Sequence, residues 1–212
     1  VEYNMEAFKP GDLLELSVEE DGMKRVTAST VIPDLFPDCT TEFYKYDQWN
    51  RGALIKYEDN PETEDFYGAI VMTSTTNTET GLTWSGSEPP ASGHDNLNID
   101  YNAYSPVVTQ LNGDYIFIWK DSDEEDNEYE IKYIHNGMSG EIYKKFTYMK
   151  LFKLSEEMYR TLCAWYDQGY NIFTYIGFFS PSACYTNINN GVGYFGSCSV
   201  RYTEPVEITN EF

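Results

Sequence analysis

The chain has 212 residues, with 35 acidic and 14 basic side chains and a formal net charge of -21. Such a surface repels phosphate backbones and anionic headgroups, which excludes nucleic acid and a bare membrane surface as partners and leaves cationic ones favoured. Yet 41% of the residues are hydrophobic and 17% aromatic, enough to build a core, and 19 Tyr with 12 Phe favour strands over helices.

In chain order, Leu14, Leu16 and Val18 alternate with Glu15 and Ser17, and Val26, Ala28 and Thr30 alternate with Arg25, Thr27 and Ser29. Period two on both sides of Asp21-Gly22 predicts a hairpin, ended by Pro33 and Pro37. A third strand is predicted over Ala53–Tyr57. A turn follows at Asp59-Asn60-Pro61, then a fourth strand over Phe66–Thr73. Residues Ser74–Ser105 are rich in Thr, Ser, Asn, Gly and Pro and read as a long loop excursion with a short strand near Leu82–Trp84. Loops of that length in a compact domain tend to be functional.

Tyr115, Phe117 and Trp119 share one face of the next strand and Ile116 and Ile118 the other, the pattern of a central strand. The acidic run that starts at Asp121 separates it from a strand over Tyr129–His135, and Asn136-Gly137 signals another turn. Ile142–Leu154 is a long strand candidate. A helix is predicted over Ser155–Gln168. Ser155 caps it, Glu156 and Glu157 sit at its positive end, and Leu154 and Tyr159 occupy staple positions. Met158, Leu162 and Trp165 fall on one face, and Gly169 suits the position after the last turn. Val192, Tyr194, Gly196, Cys198, Val200 and Tyr202 then alternate as a final strand. Together these predict one domain over residues 1–212: an all-β antiparallel sandwich of immunoglobulin or fibronectin type, with one appended helix.

The segments Leu154-Ser155-Glu156-Glu157-Met158-Tyr159 and Asn187–Gly196, with Val26–Pro33 and Tyr57–Tyr67, resemble a Bacteroidetes domain-of-unknown-function family, number 4249. The resemblance implies an outer-membrane lipoprotein of a Gram-negative bacterium, at the cell surface or facing the periplasm. It implies work beside a TonB-dependent transporter. It supplies no catalytic residues. The family's lipobox cysteine and N-terminal immunoglobulin-like domain are not visible, so the chain reads as the C-terminal part of a member or a shortened one. A membrane would be reached only through a lipid anchor outside this chain. The chain starts at Val1 and reads as a processed or truncated product, and no apolar run approaches a spanning helix.

The terminal motif has a plain physical reading. Asn189-Asn190-Gly191 supplies positive φ for a tight turn, and Gly193 and Gly196 permit close backbone approach. It reads as a turn that closes a strand and docks the helix, with a ligand loop as the alternative. The four cysteines, Cys39, Cys163, Cys184 and Cys198, allow three full pairings or four reduced, buried thiols. Cys184 and Cys198 bracket the motif and are expected to lie close together, with a bridge open to them; Cys39 and Cys163 would then be the residual pair.

No constellation reads as catalytic. Ser92-Gly93-His94-Asp95 is contiguous, whereas triads converge from distant positions. Asp121–Asp126 could ligate calcium, but Asp126 stands where an EF-hand loop needs glycine, so a solvated, self-repelling loop is expected. No metal site and no cofactor are expected. Trp119 and Trp165 sit in periodic apolar segments and read as core. Trp49 and Trp84 lie in polar surroundings and, with Tyr101 and Tyr104, are the candidate contact groups for a small-molecule, glycan or peptide ligand. The leading expectation is a non-enzymatic binding or accessory lipoprotein. A glycan- or peptide-active hydrolase and a structural or adhesive module are the alternatives.

Overall fold

The computed structural model describes residues 8–48, 50–88, 104–111, 113–121, 128–136, 143–170 and 185–208. Strands β1 (Leu13–Val18) and β2 (Val26–Val31) form a hairpin by themselves. The strands β3 (Cys39–Lys45), β4 (Asn50–Glu58) and β9 (Glu128–Asn136) make a small antiparallel sheet ordered β3-β4-β9. A large sheet runs β11-β10-β5-β8-β7, built from β5 (Phe66–Asn77), β7 (Tyr104–Leu111), β8 (Asp114–Lys120), β10 (Tyr143–Leu154) and β11 (Cys198–Tyr202). Strand β6 (Thr83–Ser87) adds to the far half of β5, and β12 (Val206–Ile208) to the start of β10. Among the described residues one helix, α1 (Glu156–Tyr170), follows β10.

The large sheet is apolar on both faces, and period two sorts its side chains into two cores. Tyr67, Ala69, Val71, Phe117, Trp119, Met149 and Leu151 face the small sheet and meet Phe36, Ala53, Ile55, Tyr57, Tyr129, Ile131 and Tyr133. The intervening Ile70, Met72, Ile116, Ile118, Phe152 and Leu154 face the helix and meet Met158 and Leu162. The molecule is therefore a sandwich with a helix on its back, as the sequence predicted. Strand β8 is central as expected, with Ile116, Ile118 and Trp119 fully buried. In the first core the indole of Trp119 donates to the Tyr57 hydroxyl at 2.8 Å.

Ser155 caps α1 with Oγ accepting from Met158 N at 3.3 Å, and the same oxygen accepts from Ser197 N at 3.2 Å. Trp165 departs from its predicted core role: it is 38% exposed and stands edge-on to Tyr194 of the terminal motif.

That motif is less strand than its alternation suggests. Only Cys198–Tyr202 pairs, because Asn190 (φ 59°) and Gly193 (φ 132°) break the extended run before it. The Asn187 amide takes the place of a strand partner. It accepts from Phe195 N and donates to Phe195 O, both at 2.8 Å. The segment then ties the hairpin to the helix. Asn189 exchanges backbone hydrogen bonds with Thr27, Asn190 Nδ2 donates to Arg25 O at 2.9 Å, and Ser197 Oγ donates to Val31 O at 2.7 Å. A two-stranded hairpin is marginal alone, and these bonds hold it in place.

Two further readings are corrected. The excursion predicted over Ser74–Ser105 starts later than expected: β5 runs on to Asn77, turns through Gly81 and returns as β6, the short strand expected near Leu82–Trp84, and β7 starts at Tyr104, while residues 89–103 lie outside the described residues. Cys39 packs on the first core and Cys163 on the second, on opposite faces of the large sheet, so they do not pair. Cys198 carries no disulfide, and Cys184 lies outside the described residues.

Candidate functional site

The inter-sheet space changes character along its length. Around Trp119 it is lined by aromatic and aliphatic side chains. Toward the β5–β6 hairpin it turns polar, because the inward row of β10 changes from Met149 and Leu151 to Thr147 and Lys145. Lys145 Nζ pairs with Glu88 Oε1 at 2.7 Å, both nearly buried. Thr73 Oγ1 donates to the same carboxylate at 2.7 Å, and the Tyr133 hydroxyl donates to the Glu88 carbonyl at 3.1 Å, joining the small sheet to the large one. Burial, with Glu88 close by, holds the Tyr133 phenol well above its usual range. Thr147 Oγ1 is buried without a hydrogen-bond partner.

Arg51 stands on the small sheet at this same end. It precedes Ala53 and Ile55 on the inward row of β4, and the Ala53↔Tyr133 register makes it a diagonal neighbour of Tyr133. At 5% exposure its guanidinium is nearly sequestered.

Where this polar floor reaches solvent, Trp84 and Tyr143 rise from it. Tyr143 continues the Lys145–Thr147 row of β10, and Trp84 is in register with Thr75, which is in register with Lys145. Their rings meet edge-to-face, centroids 5.6 Å apart at 78°. Trp84 remains 52% exposed and Tyr143 39%. Two rigid aromatic faces on strands, over buried polar groups, are suited to gripping a ligand whose body is flat or apolar.

Of the predicted contact residues, Trp84 alone has a described side chain. Trp49 and Tyr101 lie outside the described residues. Tyr104 begins β7 in register with Lys120, which is in register with Phe66, nine positions along β5 from the Thr75 that faces Trp84. At strand rise that is about 30 Å. The backbones of Trp84 and Tyr104 therefore stand far apart along the large sheet. Arg51, Glu88, Tyr143 and Lys145 were missed, although a basic residue at an inward position of an alternating strand was a signal available in the sequence.

The opposite end of the small sheet opens into a hollow of ≈ 810 Å³ lined by Tyr57, Tyr129 and several carboxylates. Glu58 and Glu128 face one another in register there, and Lys56 is held by Glu130 at 2.9 Å. Lysine hydrogen bonds, from Lys132 first and then Lys56, lower the Glu130 pKa. Its buried phenol, Tyr57, is already committed to Trp119. Beside it Asp121, read as solvated loop, is instead 6% exposed and accepts from Asp65 N at 2.8 Å, while Asp65 takes Lys153 at 2.8 Å. Burial lifts the Asp121 carboxyl to about 6. The rest of the acidic run lies outside the described residues. Among the described residues no group of three potential metal ligands converges, and no helix is long and apolar enough to cross a membrane.

A β-sandwich that displays the exposed aromatic pair Trp84 and Tyr143 at one end defines the general class. The chain matches the family described as Domain of unknown function (DUF4249) over residues 2–204 and belongs to it. No curated protein and no solved structure matches it.

Proposed function

We propose that this protein is a non-enzymatic binding lipoprotein of the outer membrane that works beside a TonB-dependent transporter and recognises its ligand at the Trp84 end of the sandwich. The Trp84–Tyr143 pair carries the reading: two large rings are left half in water on regular strands, where burying them elsewhere would have been favourable. The transporter and the lipid anchor come from the family resemblance. The formal net charge of -21 adds that the contacting face of a protein partner is cationic, whatever the charge of the ligand held at Arg51's end.

The test is co-purification of the full-length protein from native outer membranes, with wild type and Trp84→Ala compared. A transporter that is retained by the wild type and lost with Trp84→Ala supports the reading. A transporter retained equally by both moves recognition away from this end.

A further inference from the structure

The chain carries 35 carboxylate side chains, yet no ion pair reaches Arg51 among the described residues. Its Nη1 donates to the carbonyls of Asn50 and Asp47 at 3.3 and 3.5 Å. The nearby Asp47 carboxylate is turned to Asn50, accepting from its backbone N at 2.8 Å and its side-chain amide at 2.9 Å. Arg51 Nε is buried without an acceptor, and among the described residues no hydrogen bond is formed by Nη2.

The unsatisfied side of the guanidinium is therefore its Nε–Nη2 edge, which presents two parallel N–H donors at the spacing of a carboxylate's oxygens. Leaving a nearly buried cation without a counter-charge is costly in any protein. In one this acidic, a partner would be easy to supply from within. Lys145, the other cation at this end, is already neutralised by Glu88. With no carboxylate in contact among the described residues, the two parallel donors of the Arg51 fork match the two oxygens of one carboxylate. On the facing sheet Thr147 Oγ1, in the same inward row as Lys145, is a second buried group without a partner.

We propose that the Nε–Nη2 edge of Arg51 binds the carboxylate of the ligand, while Trp84 and Tyr143 hold its apolar or ring-bearing body. The ligand class is a monocarboxylate with a flat or apolar body. This rests on the Trp84 end being the recognition surface, and the experiment separates the two claims. Sodium acetate probes the fork alone; sodium benzoate probes the fork and the aromatic pair together; sodium chloride at equal ionic strength is the comparison.

In the wild-type protein, the Arg51 Nε–H resonance shifts saturably with acetate and not with chloride. Arg51→Lys keeps the charge but removes the fork, and weakens acetate at least tenfold. Trp84→Ala leaves acetate unchanged and weakens benzoate. An Arg51 Nε–H resonance that ignores acetate, or responds equally to chloride, overturns the proposal, and this readout needs no variant to fold. Acetate binding that survives Arg51→Lys overturns it too. If acetate binds the fork but benzoate ignores Trp84→Ala, the carboxylate site stands and the aromatic surface falls.

Discussion

Gly196 lies against the backbone of Met158 so closely that an added Cβ would stand 3.0 Å from Met158 N and 3.2 Å from its Cα. Those atoms belong to the first turn of α1 and cannot swing aside. The same segment carries Ser197, whose N–H donates to the cap oxygen of Ser155. The close approach thus couples helix start, motif and hairpin.

Gly196→Ala is accordingly expected to destabilise the fold by about 1–3 kcal/mol, the usual cost of overpacking against unyielding atoms. Urea denaturation measures it. Gly86→Ala is the comparison, since its Cβ would meet nothing within 4 Å, and its effect should be much smaller.

The Lys145–Glu88 pair predicts a non-additive cycle. Glu88→Gln leaves a nearly buried ammonium without its carboxylate and should cost about 3 kcal/mol. Lys145→Met in the Glu88→Gln background should recover part of that loss, because it removes the unpaired charge. Thermal or urea unfolding of the two singles and the double decides it. Strict additivity would show that the two groups act separately.

Asp121 predicts a pH signature. Its folded-state pKa is raised to about 6, by burial first and then by the neighbouring Asp59, Asp65 and Glu64, against the pull of the Asp65 N–H. Its unfolded value is about 3.9. The folded protein therefore binds the proton more tightly, and this group's contribution to stability falls as pH rises from about 4 to about 6. Asp121→Asn keeps an oxygen to accept from Asp65 N and removes the charge. It should be more stable than wild type by about 1 kcal/mol above pH 6, with the difference closing toward pH 4. Equal stability of the two at pH 7.5 would contradict this.

Much of the fold was legible because burial on both faces leaves a strong trace. The Tyr115–Trp119 alternation placed β8 in the interior of its sheet, and Ser155 with Glu156 and Glu157 marked the helix start within a residue. Strands at the edges left weaker traces. β3 has only Cys39 and Phe43 packed inward, among threonines and charges. β7 contains Pro106 at a register shift, which an edge strand tolerates and a sequence pattern reads as loop. The candidate site was half legible. Trp84 stood out as an aromatic in polar company, but its partner Tyr143 lies 59 positions away by number and meets it only across β5. Arg51 lies just before the predicted Ala53–Tyr57 strand, and only the observed start of β4 at Asn50 and its register place it in the inward row.

The central claim is that recognition occurs at the Trp84 end. Its most direct test is the affinity of the purified protein for the co-purified transporter partner, measured for wild type, Trp84→Ala and Trp165→Ala, with thermal stability recorded alongside. Trp165 is the control, a partly exposed tryptophan packed on Tyr194 beside the helix. Trp84→Ala is expected to weaken binding by about 2 kcal/mol or more at unchanged stability, and Trp165→Ala to leave binding intact. Unchanged affinity with Trp84→Ala, or a loss of stability in place of affinity, would contradict the claim.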